Sequence, residues 1–180
     1  MKDGKYELAD IKVVGLSRVF NLSDFNCGDD DLNDFIKNDA FGYQDKKMTS
    51  TILIIEKDKV IGFFSLSADA IKLGNLEKDQ CDNLKPQEEY PSIKISRLAV
   101  DKSLHRRGLG KLIIQIAVGI IRNMVSNVIG CRFITVDSYN EKVDFYKNFG
   151  FVFNEHSKYK KKDHYISMRF DLLNPPQIKK

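Results

Sequence analysis

ISRLAVDKSLHRRGLGKLIIQIAVGIIRNM, from Ile95 to Met124, decides the fold. It opens as an apolar strand over about 93–100, turns through basic residues carrying Gly108 and Gly110, and continues as a helix over about 108–125. Leu109, Leu112, Ile113, Ile116, Ala117, Ile120, Ile121 and Met124 recur at helical spacing, so one apolar stripe must lie against a sheet. A strand that turns into a helix leaves backbone N–H groups unpaired at the helix start, where they attract anions. Two closely spaced glycines there have two explanations: they let the chain turn sharply, or they let a phosphate approach the backbone. Arg106, Arg107 and Lys111 surround the glycines with no acid between them, and cations crowded at the positive end of a helix repel one another unless an anion is present. A phosphate-type anion site is therefore expected. Neither the Walker-loop spacing nor a dinucleotide-type GxGxxG follows this strand.

Working toward the N-terminus, Thr51 to Glu56 and Val60 to Asp69 are apolar runs joined by Lys57-Asp58-Lys59, a predicted β-hairpin. Upstream, Phe25-Asn26-Cys27-Gly28 makes a turn, and Asp29, Asp30 and Asp31 offer carboxylates to a helix start. Leu32, Phe35, Ile36 and Ala40 follow at helical spacing, and this helix is expected to end near Gly42. Residues 11–19 are a candidate first strand. Residues 70–91 lose periodicity and hold Gly74, Pro86 and Pro91, which predicts a long excursion of the kind that is often functional.

Toward the C-terminus, Arg132 to Asp137 is a strand, and Asn140 to Phe149 is a short helix expected to be capped by Asn140 and stopped by Gly150. Phe151 to Phe153 is extended. Tyr165 to Leu172 alternates with Ile166, Met168, Phe170 and Leu172 on one face, and the basic loop 156–164 turns between these last two strands. The predicted order is β, α, β, β, β, α, β, α, β, β in one mixed α/β domain, with a core over about 11–172 and a frayed tail over 173–180.

A chain of 180 residues suits one domain that needs no disulfide staple. Cys27, Cys81 and Cys131 are odd in number and lack metal-ligand spacing, so reduced, structural thiols are expected and no metal site. The beginning MKDGKYELAD lacks the apolar core of a signal peptide, and the longest uncharged run, Leu112 to Ile121, is too short to span a membrane, which implies a cytoplasmic protein. A net charge of +4 does not by itself imply nucleic-acid binding. Its distribution is more informative, with aspartates crowded between Asp24 and Asp39 and lysines at Lys158, Lys160, Lys161 and Lys162.

At HRRGLG, from His105 to Gly110, the chain resembles the GNAT superfamily of N-acetyltransferases, which carry Gln or Arg, two variable residues, Gly, a variable residue and Gly or Ala at this junction. His105 departs from that pattern at its first position. The resemblance implies a mixed sheet splayed between the strands at 93–100 and 131–137, with helices on both faces. It implies that the amides of His105, Arg106, Arg107, Gly108, Leu109, Gly110 and Lys111 cradle the pyrophosphate of acetyl-coenzyme A, the co-substrate. It further implies that the backbone of Leu98, Ala99 and Val100 pairs with the pantetheine arm. FYKNFGF, from Phe145 to Phe151, is similar to the family's FYxxxGF segment, which makes Tyr146 the general acid for the departing thiolate. Without the family, Tyr146 is a core aromatic beside Phe145 and Phe149. Asn140 lies six residues before Tyr146, where many members have an Asn at seven, and helix capping accounts for it equally well.

FNCGDDDLNDFIKNDA, from Phe25 to Ala40, and VIGFFSLSADAI, from Val60 to Ile71, narrow the resemblance to the GNAT toxins of toxin–antitoxin pairs. It then covers about 20–170 and implies acetylation of the α-amine of aminoacyl-tRNA, a block of translation, a ribbon-helix-helix antitoxin as partner and, as in many such toxins, a homodimer. Chemistry favours an α-amine. It titrates at ~7.7–8 and is partly neutral near neutral pH, whereas lysine at ~10.4 needs a strong base. No such base is evident: the strand around Ile95 holds no acid before Asp101, and Glu88 and Glu89 read as solvated loop charges. Lys158, Lys160, Lys161 and Lys162, with Lys46, Lys47 and Lys94, are the candidate cations for tRNA phosphates, and Tyr159 is the one candidate for base stacking. The same lysines also fit a solvated hairpin tip. Two other functions stay open: a GNAT acting on a small amine or a protein N-terminus, and a non-catalytic acyl-coenzyme A-binding module that would not need Tyr146.

Overall fold

The computed structural model describes residues 11–78, 87–160 and 164–175. In chain order it contains β1 (Lys12–Gly15), α1 (Asp30–Asp34), a π-type turn (Phe35–Asp39), α2 (Ala40–Asp45), β2 (Ser50–Glu56), β3 (Lys59–Ile71) and α3 (Asn75–Lys78). There follow β4 (Tyr90–Val100), α4 (Leu109–Ile120) with a second π-type turn (Ile121–Val125), β5 (Phe133–Tyr139), α5 (Val143–Lys147), β6 (Val152–Phe153) and β7 (Tyr165–Asp171). The strands form a seven-stranded sheet in the order β1-β2-β3-β4-β5-β7-β6. It is mixed, with β4 and β5 parallel and the β1–β2, β2–β3, β5–β7 and β6–β7 pairs antiparallel. That is the predicted fold class and, apart from the extra turn of α3, the predicted order. Two compact units make up the chain, Met1–Ser67 with Ile95–Ile120 and Ala68–Lys94 with Ile121–Lys180. Among the described residues no helix is long and apolar enough to cross a membrane.

In the first unit, β2 and β3 meet through Lys57 and Asp58, whose φ values of 46° and 66° are those of a two-residue hairpin turn built without glycine. The first strand is shorter than predicted because it pairs with β2 only to Gly15; the next amide, Leu16, donates to the Thr51 carbonyl at 2.8 Å before the chain turns away. Asp29 caps α1 as expected, accepting from the Leu32 amide at 3.1 Å. The helical run extends to Asp45 rather than stopping near Gly42. Gln44 explains the extra turn: its side chain donates to the Leu16 carbonyl and accepts from the Thr51 amide, which ties the last turn to β1 and β2. Phe25, Phe35, Ile36, Ala40, Leu53, Phe63 and Ala99 form the core under these helices. Helix α4 buries Leu109, Ile113, Ala117 and also Ile114, which the predicted stripe omits, and Ile121 is buried beyond its end. Met124 lies off that stripe, 64% exposed, because the turn after Ile120 is widened to the i→i+5 bond from Ser126 N–H to Ile121 O. Gly62 is required where β3 passes under α4. A Cβ there would stand 2.5 Å from Ile113 Cδ1 and 3.0 Å from the Ala99 carbonyl oxygen.

In the second unit, β5 and β7 pair along their whole length from Phe133↔Asp171 to Tyr139↔Tyr165, whereas the β4–β5 ladder runs only from Ser92↔Phe133 to Lys94↔Thr135. Strand β7 does not alternate as predicted, since Ser167 and Arg169 are buried along with Met168 and Phe170. The reason is Glu77, which the predicted excursion left without a role. Its carboxylate is buried against Arg169 and accepts from the Gly74 amide at 2.5 Å and the Glu155 amide at 3.0 Å. Arg169 also donates to the Phe153 carbonyl. The excursion itself is smaller than predicted, as β3 reaches Ile71 and β4 begins at Tyr90; residues 79–86, including Cys81, lie outside the described residues.

Asn140 does not cap the following helix. A 3-10 turn occupies Asn140–Lys142, α5 starts at Val143, and neither start has a side-chain cap. The stop at Gly150 is as predicted: φ is +86°, Gly150 N–H bonds Lys147 O at 2.8 Å, and Phe151 N–H bonds Tyr146 O at 3.1 Å. Replacing Arg169 with Ala should cost about 3–5 kcal/mol, because Glu77 is left buried without its cation. Thermal unfolding checks this, and the double variant Glu77→Leu with Arg169→Met should lose much less.

Candidate active site

In the first unit the turn into α4 is held from behind by Asp101, the residue after β4. Its carboxylate is 4% exposed and accepts from Ser103 Oγ at 2.5 Å, Ser103 N–H at 3.0 Å and Asn26 N–H at 3.4 Å, with Lys59 Nζ at 4.0 Å. The backbone completes the tie, with Asp101 N–H to Ile61 O at 3.0 Å and Lys102 N–H to Asn26 O at 2.8 Å. Asn26 belongs to a further network: its side chain accepts from Gly28 N–H and from Asn33, and Asn33 accepts from Cys27 N–H. The Phe25–Ala40 motif thus does two structural jobs, burying Phe25, Phe35, Ile36 and Ala40 while clamping the start of the basic turn. Cys27 is a free, buried thiol pushed up by burial, and Cys131 is free as well.

The turn itself is wound by two left-handed residues, Arg106 at φ 63° and Gly108 at φ 82°. Nothing lies within 4 Å of a Cβ placed on Gly108, so glycine there serves the backbone conformation and not a lack of space. His105 stands where the family pattern has Gln or Arg, and it is bonded within the turn. Its Nε2 donates to the Val100 carbonyl oxygen at 2.9 Å, tying the turn to the end of β4. Arg106, Arg107 and Lys111 are exposed cations, Leu109 is buried and anchors the helix, and Gly110 lies in its first turn. Leu98, Ala99 and Val100 end β4, with Ala99 buried in the core and Leu98 and Val100 half-buried.

In the second unit Tyr146 sits on α5, half-buried, its ring edge-on to Phe145 at 5.1 Å and to Phe151 at 5.4 Å. The Phe151 contact is the apolar clasp of the Gly150 turn, so the glycine that stops the helix also fixes the tyrosine ring. Its hydroxyl has no hydrogen-bond partner among the described residues. Burial pushes that hydroxyl up to about 12, so it is a protonated phenol throughout the physiological range. The ring is packed, and the hydroxyl makes no hydrogen bond among the described residues.

The basic loop is less free than expected. Tyr159 is tucked against Ile71, Leu73 and Phe133, and its hydroxyl accepts from Lys72 N–H at 3.1 Å, which removes it as a stacking surface. Lys158 and Lys160 are exposed, while Lys161 and Lys162 lie outside the described residues. Lys46 and Lys47 are exposed, and Lys94 is bound to Asp137 at 2.7 Å. Glu88 is an exposed charge paired with Lys72, whose hydrogen bond holds it below the usual carboxylate range; it has the character of a surface ion pair and not of a base. Asp101 had a legible signal in the sequence, an Asp two residues before a Ser at a strand end. Glu77 had none, since its partner Arg169 is remote in the chain.

The chain belongs to the acetyltransferase (GNAT) domain family, whose model matches residues 26–172. A tRNA-acetylating toxin of Mycobacterium tuberculosis is 26% identical over 137 residues, 76% of this chain and 81% of that protein. Among solved structures, AtaT complexed with acetyl-methionyl-tRNAfMet aligns with a TM-score of 0.77 at 22% identity, covering 92% of this chain and 96% of that one. A tyrosine-to-phenylalanine mutant of the AtaT toxin, bound to the C-terminus of the antitoxin AtaR and acetyl-CoA, aligns with a TM-score of 0.72 at 20% identity, covering 92% and 95%.

The Asp101 cluster makes a pH prediction. Burial opposes ionisation, but the bonds from Ser103 and Asn26 and the charge of Lys59 outweigh it and hold the carboxyl below its ordinary value. Its stabilising contribution is therefore fully present above the unfolded value of ~3.9 and is lost as pH falls through the lower folded value. Asp101→Asn should lower the melting temperature at pH 7, by about 1.5–3 kcal/mol of stability, and lose less than wild type on further acidification toward pH 3.

Proposed function

We propose that the chain transfers the acetyl group of acetyl-coenzyme A to the α-amine of an aminoacyl-tRNA, in the cytoplasm, and so blocks translation as a toxin. One acetyltransferase domain over about 11–172 carries this activity, and a ribbon-helix-helix antitoxin is its protein partner. Support comes from the family match, from the named activity of the mycobacterial relative and from the AtaT complexes. The observation that carries the mechanism is the Tyr146 hydroxyl, protonated and without a partner among the described residues, on a packed ring.

In this reading the amides of His105 to Lys111 take the pyrophosphate, assisted by the exposed Arg106, Arg107 and Lys111, while Leu98 to Val100 take the pantetheine arm. The neutral amine attacks the thioester carbonyl carbon and a C–N bond forms. As the C–S bond breaks, the thiolate takes the Tyr146 proton, the surplus proton of the amine passes to water, and the tyrosinate is reprotonated from solvent. A base of high pKa is unnecessary for an amine that titrates at ~7.7–8. Lys158 and Lys160 contribute to holding the tRNA backbone.

Incubation with labelled acetyl-coenzyme A and charged tRNA should place label on the aminoacyl group and none on deacylated tRNA. Tyr146→Phe should lower the rate about 100-fold or more while leaving acetyl-coenzyme A affinity within about twofold. Its stability should change by less than about 0.5 kcal/mol, because the lost hydroxyl makes no bond among the described residues. Label on a small amine or a protein N-terminus instead would replace the acceptor. Wild-type rates in the Tyr146→Phe protein would remove the general acid.

A further inference from the structure

One face of the sheet in the second unit changes character along β5. Phe133, Thr135 and Asp137 alternate onto that face, opposite Asp171, Arg169 and Ser167 of β7. At the Phe133 end the face is covered by Ile71, Leu73, Tyr90 and Tyr159. The apolar cover then stops. Thr135, only 2% exposed, donates its hydroxyl to Asp69 Oδ2 at 2.5 Å, and its register partner Lys94 is bound to Asp137. Asp69 therefore has a buried hydroxyl fixing one oxygen, and no cation pairs with it among the described residues. The nearest lysine in the register is already neutralised.

Two further facts bear on this carboxylate. The β4–β5 ladder ends at the Lys94↔Thr135 pair, so Asp69 is aimed at the place where the two parallel strands cease to be bonded. Tyr146 belongs to the opposite face: its ring packs on Phe151, which packs on Phe170 at 5.5 Å, and Phe170 alternates away from Arg169. A phenol on one face and an oriented carboxylate on the other divide the two ends of an acyl transfer. The leaving thiolate needs the proton donor, and the incoming amine needs an acceptor for its N–H.

We propose that Asp69, aimed by Thr135, binds the α-amino group of the acceptor. The inference rests on the reading of the chain as an aminoacyl-tRNA acetyltransferase. Asp69 accepts a hydrogen bond from the amine and turns its lone pair toward the thioester; it need not remove the proton. Specificity follows from the same contact in the binding complex. The amine of the acceptor is in equilibrium with its ammonium, which pairs with the carboxylate before the proton is lost to water, whereas a hydroxyl in its place carries no charge.

The test uses the full chain with coenzyme A bound in place of acetyl-coenzyme A, so that no transfer occurs. Binding of bulk aminoacyl-tRNA is compared with binding of hydroxyacyl-tRNA. Wild type should prefer the aminoacyl form by about tenfold, and Asp69→Asn should bring that ratio to near one with an unchanged melting temperature. With acetyl-coenzyme A, Asp69→Asn should raise the KM for aminoacyl-tRNA about tenfold and leave the KM for acetyl-coenzyme A unchanged. Thr135→Val should shift the ratio in the same direction by a smaller factor. A wild-type preference retained by Asp69→Asn overturns the inference while leaving the parent reading intact. Failure of the wild type to acetylate any charged tRNA overturns the parent reading itself, and the two failures are distinguishable in one set of assays.

Discussion

The buried Asp101 carboxylate is the constraint on which the first unit depends. It lies where a strand must become a helix within a few residues, and it collects donors from the turn itself and from Asn26, which is remote in the chain. Without those donors a carboxylate so buried would protonate or pull the turn open toward water. With them, the strand end and the N-terminal motif are bonded to one another, and the segment between Asp101 and Leu109 has little freedom left. Arg106 and Gly108 can then be held in left-handed conformations that leave the turn into α4 exposed.

The second unit solves a comparable problem with different chemistry. In the proposed mechanism a short helix presents a phenol whose hydroxyl has no partner among the described residues. Gly150 ends the helix in a left-handed turn, and that turn bonds the Tyr146 carbonyl and brings the Phe151 ring against the Tyr146 ring. Orientation is thereby supplied by the backbone and by aromatic packing. The Glu77–Arg169 pair steadies the strands and loops on the other face. A buried ion pair of this kind is weak evidence for stability as such, but Glu77 ties the backbone at Gly74 to the backbone at Glu155.

Much of this was legible in the sequence because it depended on local signals. The apolar runs of β2 and β3, the Asp29 cap, the Gly150 stop and the basic turn are each written within a few residues. What escaped depended on partners remote in the chain. Gln44 prolongs a helix by bonding β1 and β2, Glu77 buries Arg169 and removes the alternation of β7, and Tyr159 turns inward because Lys72 offers it an amide. Asn140, assigned a cap by its type and position, has none, since a 3-10 turn intervenes before α5. Periodicity likewise placed Met124 on the α4 stripe, and a widened turn removed it.

In the proposed function the turn between β4 and α4 holds the pyrophosphate of acetyl-coenzyme A. Backbone amide resonances of isotope-labelled protein, followed during titration with acetyl-coenzyme A, test it most directly. The amides of Gly108, Leu109, Gly110 and Lys111 should move most, and an acetyl-pantetheine lacking the pyrophosphate should leave them nearly still. Saturable binding of acetyl-coenzyme A with those four amides unmoved would contradict it.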